Sequence, residues 1–286
     1  MTYLSKMYHP YHTNSSIIRV SLTVFILSHL ICSVYMKEIL ELQAIVISAN
    51  AERYANTYSI LNGVGFNVTR LQPIHYTSQI LDKKLTNAIN NNVHMKGTLG
   101  LNGRIRIVIE SPQDRQHFSN RLVFLKAIEM QLAHSAGDSK VNRELDWIFF
   151  FEDDIKLHES FHSPKQAMRA IITGMKLATN GMMFLGICSR IWYDETIITV
   201  DSNEYRNCTG YCAHAFGIAR WRIQAFLDYI TPIKYHVAAF DILLFRYAEN
   251  HPVVLVGSNL TSPQVSDHTG MFYQNRHKYN STIIIP

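Results

Sequence analysis

Three consecutive acidic residues, Glu152, Asp153 and Asp154, carry the clearest chemistry in this sequence. They directly follow five large apolar residues at 147–151, a pattern typical of a buried strand. Side chains two apart in an extended segment point the same way, so Glu152 and Asp154 can converge on one ion while Asp153 faces elsewhere. Carboxylate oxygens suit hard divalent cations such as Mn²⁺ and Mg²⁺. The triplet is therefore a candidate metal site, and acids that only solvate a strand end are the equal alternative.

A second group of reactive side chains lies in the C-terminal half, where Cys188, Cys208 and Cys212 cluster. In an oxidising compartment two of these three are expected to form a disulfide. Cys208, Cys212 and His214 could instead bind zinc, but a fourth ligand at a suitable spacing is missing. The sequence favours a disulfide without assigning its partners.

Alternating strands and helices are predicted to position the acidic triplet. The apolar run at 42–48 predicts a buried strand, and Asn50 fits the N-cap of a helix over 51–61. Two glycines end this helix, and 66–71 predicts a second strand. Such a β-α-β opening is typical of a doubly wound α/β sheet, in which ligands bind beyond the carboxyl ends of the strands. The triplet follows a strand end of this kind.

The rest of the chain continues the alternation. The polar stretch at 73–103 is predicted to be a loop with one short helix that covers the site. Further strands are predicted at 104–110, 147–151, 182–187, 214–218 and 253–256, and further helices at 120–136, from Pro164 to Asn180, at 221–229 and at 241–250.

The N-terminal region contains an uncharged apolar run at 20–36, which is 17 residues long. This length is at the lower limit for crossing a hydrocarbon core of about 30 Å. Because Lys6 and Arg19 precede the run, we predict a cytosolic tail at 1–19, a signal-anchor transmembrane helix at 20–36 and a lumenal domain at 37–286. A cleaved signal peptide or a buried soluble helix would explain the same run. Glycosylation sequons beyond the run also favour the secretory pathway, and they lie at Asn67, Asn207, Asn259 and Asn280.

The composition is that of a packed domain with little charge. Hydrophobic residues make up 47% of the chain and charged residues 17%, which argues against disorder. The net charge is +5, but Lys and Arg are scattered without runs, so no nucleic-acid partner is expected. A mildly basic surface would suit an anionic ligand.

Six segments resemble glycosyltransferase family 25, the group of lipopolysaccharide and procollagen sugar transferases. In chain order they are VISANAERYANTYSILNGVGFNVTRLQPI, FFFEDDIKLHESF, FLGICS, GYCAHAFGIAR, FDILLF and SPQVSD. Each segment is short and diverged, and the ordered series is more specific than any one of them.

This resemblance implies a GT-A type, Rossmann-like sheet with flanking helices. It also implies a nucleotide-diphosphate sugar donor and dependence on Mn²⁺ or Mg²⁺, with Glu152 and Asp154 as metal ligands and Asp153 helping to hold the donor. The expected activity is transfer of a hexose, galactose being the default, to a glycan, lipid-linked or protein hydroxyl acceptor. The expected location is the Golgi or endoplasmic reticulum membrane, as a single-pass type II protein.

Three further site residues follow from the resemblance, and each has a structural alternative. Asp241 would be the general base that deprotonates the acceptor hydroxyl for displacement with inversion, or else a helix N-terminal acid that interacts with the helix dipole. His268 would be a third metal ligand, or else a surface histidine. Arg53 would contact the donor diphosphate, or else be a solvated helix arginine.

The chain also departs from the family pattern. Ser119 and Asn120 stand where the family shows Ser-His, and Arg53 alone remains of the paired arginines in the first loop. A catalytically inactive lumenal binding or scaffold protein with the same fold is therefore the alternative hypothesis. A metal-dependent phosphoesterase is the third hypothesis, but it would generally need more His and Asp ligands than this chain offers.

Overall fold

The computed structural model describes residues 42–75, 77–90, 98–99, 105–106, 112–135, 145–211, 214–230, 239–258, 260 and 269–275. Within these ranges no helix has both the length and the apolar character needed to cross a membrane. The predicted cytosolic tail and transmembrane segment at 1–36 lie outside the described residues, as do Cys212 and His268.

A nine-stranded mixed sheet organises the described residues. Its strands are β1 Leu42–Ile47, β2 Phe66–Leu71, β5 Trp147–Glu152, β7 Met182–Ile187, β8 Ser189–Val200, β9 Asn203–Tyr211, β10 Ala215–Ala219, β11 Val253–Gly257 and β12 Thr269–Gly270. Two small ladders pair β3 Thr98–Leu99 with β4 Ile105–Arg106, and β6 Ile155–Leu157 with β13 Phe272–Gln274. The strand order is β2-β1-β5-β10-β7-β11-β9-β8, and β12 pairs with β7.

The sheet combines parallel and antiparallel pairs. β1 is parallel to both β2 and β5, and β11 is parallel to β7. β10 runs antiparallel between β5 and β7, and the hairpin of β8 and β9 adds antiparallel strands beside β11. The predicted mixed α/β class is confirmed, with more antiparallel pairing than a doubly wound sheet would have.

Helices flank this sheet on both faces. Their bounds are α1 Ala51–Val64, α2 Gln79–Asn90, α3 Pro112–Ser135, α4 Pro164–Leu177, α5 Arg220–Ile230 and α6 Phe240–Asn250. α3, α5 and α6 pack together, whereas α1 packs against α4. The side chains of β5 alternate between the two faces: Phe150 stacks against Phe216 beside Phe124 of α3, while Phe149 and Phe151 contact Phe66 edge-on.

The predicted β-α-β opening is confirmed. Asn50 caps α1, and its side chain accepts a hydrogen bond from the backbone N–H of Arg53 at 3.0 Å. Leu61 and Val64 are buried against the sheet, which ties the last turn of the helix to the core. The helix ends at Gly65, whose φ of 111° is a left-handed conformation that glycine adopts without steric cost.

The structure differs from the sequence prediction at the start of α3 and in several strands that were not predicted, among them β6, β12 and β13. α3 begins at Pro112, whereas the sequence predicted a start at 120. The first turns were missed because residues 112–119 are mostly polar and show no apolar periodicity. The hairpin of β8 and β9 was not predicted. Its turn uses Asp201 and Ser202 in the left-handed region, with φ values of 50° and 66°, and it lacks the glycine that usually marks such a turn.

Candidate functional site

The acidic triplet lies at the carboxyl ends of two adjacent parallel strands. β1 and β5 run side by side, with Ile47 opposite Glu152 at their ends. The chain leaves β1 towards β2 on one side and returns as β5 on the other, so the strand order reverses between β1 and β5. In open α/β sheets this reversal leaves a crevice where ligands bind. The predicted position of the triplet relative to the sheet is therefore confirmed.

The acids do not continue the strand as an extended segment. β5 ends at Glu152, Asp153 and Asp154 form a turn, and β6 begins at Ile155. We call 152–154 the acidic turn. Asp153 points towards the end of β1, where the Ser48 hydroxyl donates a hydrogen bond to Asp153 Oδ2 at 2.7 Å. Asp153 and Asp154 are both buried, so their carboxylates need partners within the protein.

Arg53 supplies a partner for both aspartates. Its Nη2 lies 2.8 Å from Asp153 Oδ1 and 3.2 Å from Asp154 Oδ2, and the side chain is only 7% exposed. The cap at Asn50 fixes the start of α1, and this places Arg53 one turn into the helix, facing the acidic turn. Arg53 was predicted to contact a diphosphate or to be solvated. The solvated alternative is wrong, because the guanidinium is buried and bound to two carboxylates, and the contact with a diphosphate stays a prediction.

The contact with Arg53 uses only one of the two carboxylate oxygens of Asp154. Its Oδ1 is buried and has no hydrogen-bond partner among the described residues. An orphaned carboxylate oxygen in a buried site is unfavourable unless a ligand, a cation or water completes it. This oxygen therefore fits the role of a ligand to a divalent cation.

The raised pKa of Glu152 also favours a cation at this site. Burial, together with the nearby charges of Asp154, Asp241 and Asp153, raises the pKa of this carboxyl to about 8. The pKa of Asp153 is also raised, chiefly by burial. Like charges held together out of water oppose ionisation, and a bound cation would reverse that opposition. Because the acids form a turn, the extended geometry from which the convergence of Glu152 and Asp154 was predicted is wrong, and their convergence on one ion stays a prediction.

The described residues do not by themselves complete a metal site. They contain no group of three His, Cys, Asp or Glu side chains arranged to hold a metal ion. Glu152 and Asp154 provide carboxylate oxygens, and His268, the predicted third ligand, lies outside the described residues.

Asp241 lies at the N-terminus of α6, near enough to the acidic turn for its charge to raise the pKa of Glu152. Its Oδ1 accepts a hydrogen bond from the backbone N–H of Ile242 at 3.0 Å. The position fits a helix N-terminal acid that interacts with the helix dipole, and the general-base role stays a prediction.

Gln274 contacts the acidic turn, although no sequence pattern indicates it. Its Nε2 donates a hydrogen bond to Glu152 Oε2 at 2.5 Å. It belongs to β13, which pairs with β6 and so lies directly against the acidic turn. The backbone N–H of Asn275 continues this contact by donating to the Asp154 carbonyl at 2.5 Å. No recognisable motif surrounds Gln274, which is why only the fold identifies it.

His214 and Gly186 pack tightly against β13 at the edge of the sheet where β5 ends. His214 is fully buried, and its Nε2 donates to the Phe272 carbonyl at 2.9 Å. A Cβ at Gly186 would lie 2.2 Å from that carbonyl oxygen and 2.4 Å from His214 Nε2. His214 thus holds β13 against the sheet, which does not favour the zinc hypothesis for this residue.

The cysteines agree with the predicted disulfide. Cys188 is disulfide-bonded, and its partner lies outside the described residues. Cys208 is a buried cysteine that does not take part in a disulfide.

In comparisons with known proteins, no family model and no curated protein sequence matches this chain.

Proposed function

We propose that this protein is a metal-dependent glycosyltransferase of the GT-A type, which transfers a hexose from a nucleotide-diphosphate sugar to a hydroxyl acceptor. The observation that carries the proposal is the buried acidic turn in the crevice between β1 and β5, where Asp154 Oδ1 has no described partner. Ligands of open α/β sheets bind in this position. The segments that resemble family 25 include the acidic turn itself.

The charge balance of the site supports a cationic cofactor. Arg53 lies between two carboxylates, and Glu152 and Asp241 add two more acids nearby. A cation bound beside Glu152 and Asp154 would offset the repulsion that raises the pKa of Glu152. Hard oxygen ligands of this kind select Mn²⁺ or Mg²⁺ over softer metals.

Each residue then has a distinct role. Glu152 and Asp154 would bind the cation, with His268 as the third ligand, and Arg53 holds Asp153 and Asp154 in place. When bound, the cation would supply the positive charge that binds the donor diphosphate and stabilises it as a leaving group. Asp241 accepts the proton of the acceptor hydroxyl, so that attack from the opposite face inverts the sugar.

The proposal includes a compartment and a default donor. The domain at 37–286 would face the lumen of the Golgi or endoplasmic reticulum, held by the segment at 20–36 as a type II anchor. The disulfide of Cys188 supports an oxidising compartment. Galactose is the default sugar from the resemblance, and a glycan, lipid-linked or protein hydroxyl is the acceptor.

A lumenal binding or scaffold protein is the second candidate, and Arg53 is the observation that favours it. Its contacts of 2.8 Å and 3.2 Å to Asp153 and Asp154 compensate the buried acids without any metal. An acidic turn that is compensated in this way could serve the fold alone.

Donor hydrolysis by the full chain in detergent distinguishes the two candidates. A panel of nucleotide-diphosphate sugars is tested with and without Mn²⁺, and we expect Mn²⁺-dependent turnover of one donor that is lost in Asp154→Asn. Asp146→Asn is the matched control, because Asp146 precedes the opposite end of β5 and pairs with Arg220 at 2.8 Å. It should retain turnover. Failure of the wild-type protein to bind any nucleotide with Mn²⁺ would support the scaffold.

A further inference from the structure

We propose that Gln274 is a positioning residue that orients the Glu152 carboxylate for metal binding. This inference rests on the proposed function, because it concerns the same site. It adds a residue that neither the acidic motif nor the resemblance indicates.

The contact is short and directed. Gln274 Nε2 donates to Glu152 Oε2 at 2.5 Å, which uses one oxygen of the carboxylate and leaves Oε1 to face other partners. The ionised carboxylate, which is the form that a cation would bind, only accepts hydrogen bonds and therefore pairs with the N–H₂ group of the amide. The orientation of the Gln274 amide is thereby defined by its partner.

Burial and backbone pairing restrict the position of this amide. Gln274 is only 9% exposed, and its Oε1 lies 3.4 Å from the Sγ of the disulfide-bonded Cys188. The backbone of Gln274 pairs with Ile155 in the ladder of β13 and β6, immediately after the acidic turn. Side chain and backbone therefore fix the amide relative to the turn that carries Glu152.

The hydrogen bond favours the charge state of Glu152 that a cation would require. A cation would bind the ionised carboxylate, and the N–H₂ group of Gln274 stabilises that form by donating to it. The same contact fixes one oxygen of Glu152 within the acidic turn that also carries Asp154, whose Oδ1 has no hydrogen-bond partner among the described residues. Partners of metal ligands commonly contribute about 10–100-fold to metal affinity in this way.

The test measures Mn²⁺ binding without turnover, from the electron paramagnetic resonance signal of free Mn²⁺ titrated into the metal-free full chain. Gln274→Met keeps the length of the side chain but removes its donor, so we expect Mn²⁺ affinity to fall about tenfold or more. Gln166→Met is the matched control. Gln166 donates to the Ser160 carbonyl at 3.3 Å, and its hydrogen-bond partners lie outside the acidic turn, so this variant should bind Mn²⁺ as the wild type does.

A double-mutant cycle separates positioning from a general structural role. In the Glu152→Gln background the Gln274→Met change should cause no further loss of Mn²⁺ affinity, whereas a merely structural effect would add to the first loss. In a transferase assay, the Mn²⁺ concentration for half-maximal rate should rise while kcat at saturating Mn²⁺ changes little. If Gln274→Met does not fold, the Mn²⁺ affinity of Gln274→Asn is measured instead, because asparagine keeps the amide but is too short to reach Glu152.

The outcomes are distinguishable from failure of the proposed function. Wild-type affinity in both Gln274 variants, or full additivity with Glu152→Gln, would overturn the role of Gln274 alone. A wild-type protein that binds no Mn²⁺, or an Asp154→Asn variant that binds it as tightly, would instead overturn the metal site itself.

Discussion

Arg53 illustrates how single residues hold the site together. One guanidinium contacts two carboxylates, Asp153 and Asp154, that are themselves buried. We predict that Arg53→Met destabilises the metal-free protein by about 3–5 kcal/mol, because it leaves buried charges without compensation. Arg246→Met is the control. Its pair with Glu249 is exposed, so its loss should cost less than about 1 kcal/mol. Urea unfolding monitored by circular dichroism measures both.

A result for Arg53→Met as small as that for Arg246→Met would mean that water or another group compensates the aspartates. Neutralising one aspartate in the same protein, with Asp153→Asn, should recover part of the lost stability, since fewer buried charges then remain unpaired.

Glu152 makes the stability of the metal-free protein depend on pH. Its pKa rises from the usual 4.5 to about 8 in the folded state, mainly through burial and the charge of Asp154. Between these values the folded state holds a proton that the unfolded state releases, so the free energy of unfolding should fall as the pH rises. Each pKa unit corresponds to about 1.4 kcal/mol, and we expect a loss of a few kcal/mol across this range.

The measurement is urea unfolding in chelator at several pH values from about 5 to about 9. Glu152→Gln should flatten the dependence in this window, because the amide does not ionise. A Glu152→Gln profile parallel to that of the wild type would assign the pH dependence to other groups.

At the scale of elements, the contact of β13 with the sheet requires a glycine. A Cβ at position 186 would meet the Phe272 carbonyl oxygen at 2.2 Å and His214 Nε2 at 2.4 Å. Backbone cannot yield as a flexible side chain does, so we predict that Gly186→Ala lowers the free energy of unfolding by about 1–3 kcal/mol. It should also weaken Mn²⁺ binding, because β13 carries Gln274.

Gly63→Ala provides the opposite expectation. Gly63 lies within α1 and a Cβ there would contact nothing within 4 Å. Alanine in a helix is favoured over glycine by up to about 1 kcal/mol, so this change should be neutral or stabilising. A stabilising Gly186→Ala would show that β13 can shift away from the sheet without cost.

Local sequence patterns account for two of the elements that build the site, β5 and α1. The apolar run before Glu152 predicted β5, and Asn50 with the later Gly65 predicted the bounds of α1 to within one turn. These patterns act over a few residues, through burial, capping and the conformational freedom of glycine.

Contacts between distant segments could not be predicted in the same way. The pairing of Arg53 with Asp153 and the hydrogen bond from Gln274 to Glu152 join residues that are far apart in the chain. Both depend on which strands become neighbours, and several strand orders would satisfy the same apolar pattern. The hairpin of β8 and β9 was missed for a local reason, since Asp201 and Ser202 adopt a turn without glycine.

At the scale of the whole molecule, the proposed compartment and the proposed chemistry depend on different features. The disulfide of Cys188 and the sequons support a lumenal domain. The acidic turn supports a cation whatever the compartment. The membrane topology can therefore be tested with substitutions that do not alter the acidic turn.

Asn67 allows such a test. It is exposed on β2, the strand at one end of the sheet order, and the sequence Asn67-Val68-Thr69 is a sequon. If residues 37–286 face the lumen, the chain expressed in a secretory cell should carry a glycosidase-sensitive glycan at Asn67, and one step of mobility on a gel should disappear in Asn67→Gln. Thr69→Ala should remove the same step, because it destroys the same sequon. Asn62→Gln alters an exposed asparagine of α1 outside any sequon and should leave the mobility unchanged. A membrane-bound chain with no glycan at any sequon would place the domain on the cytosolic side. That result would overturn the type II topology and leave Mn²⁺ binding at Glu152 and Asp154 to be decided by titration.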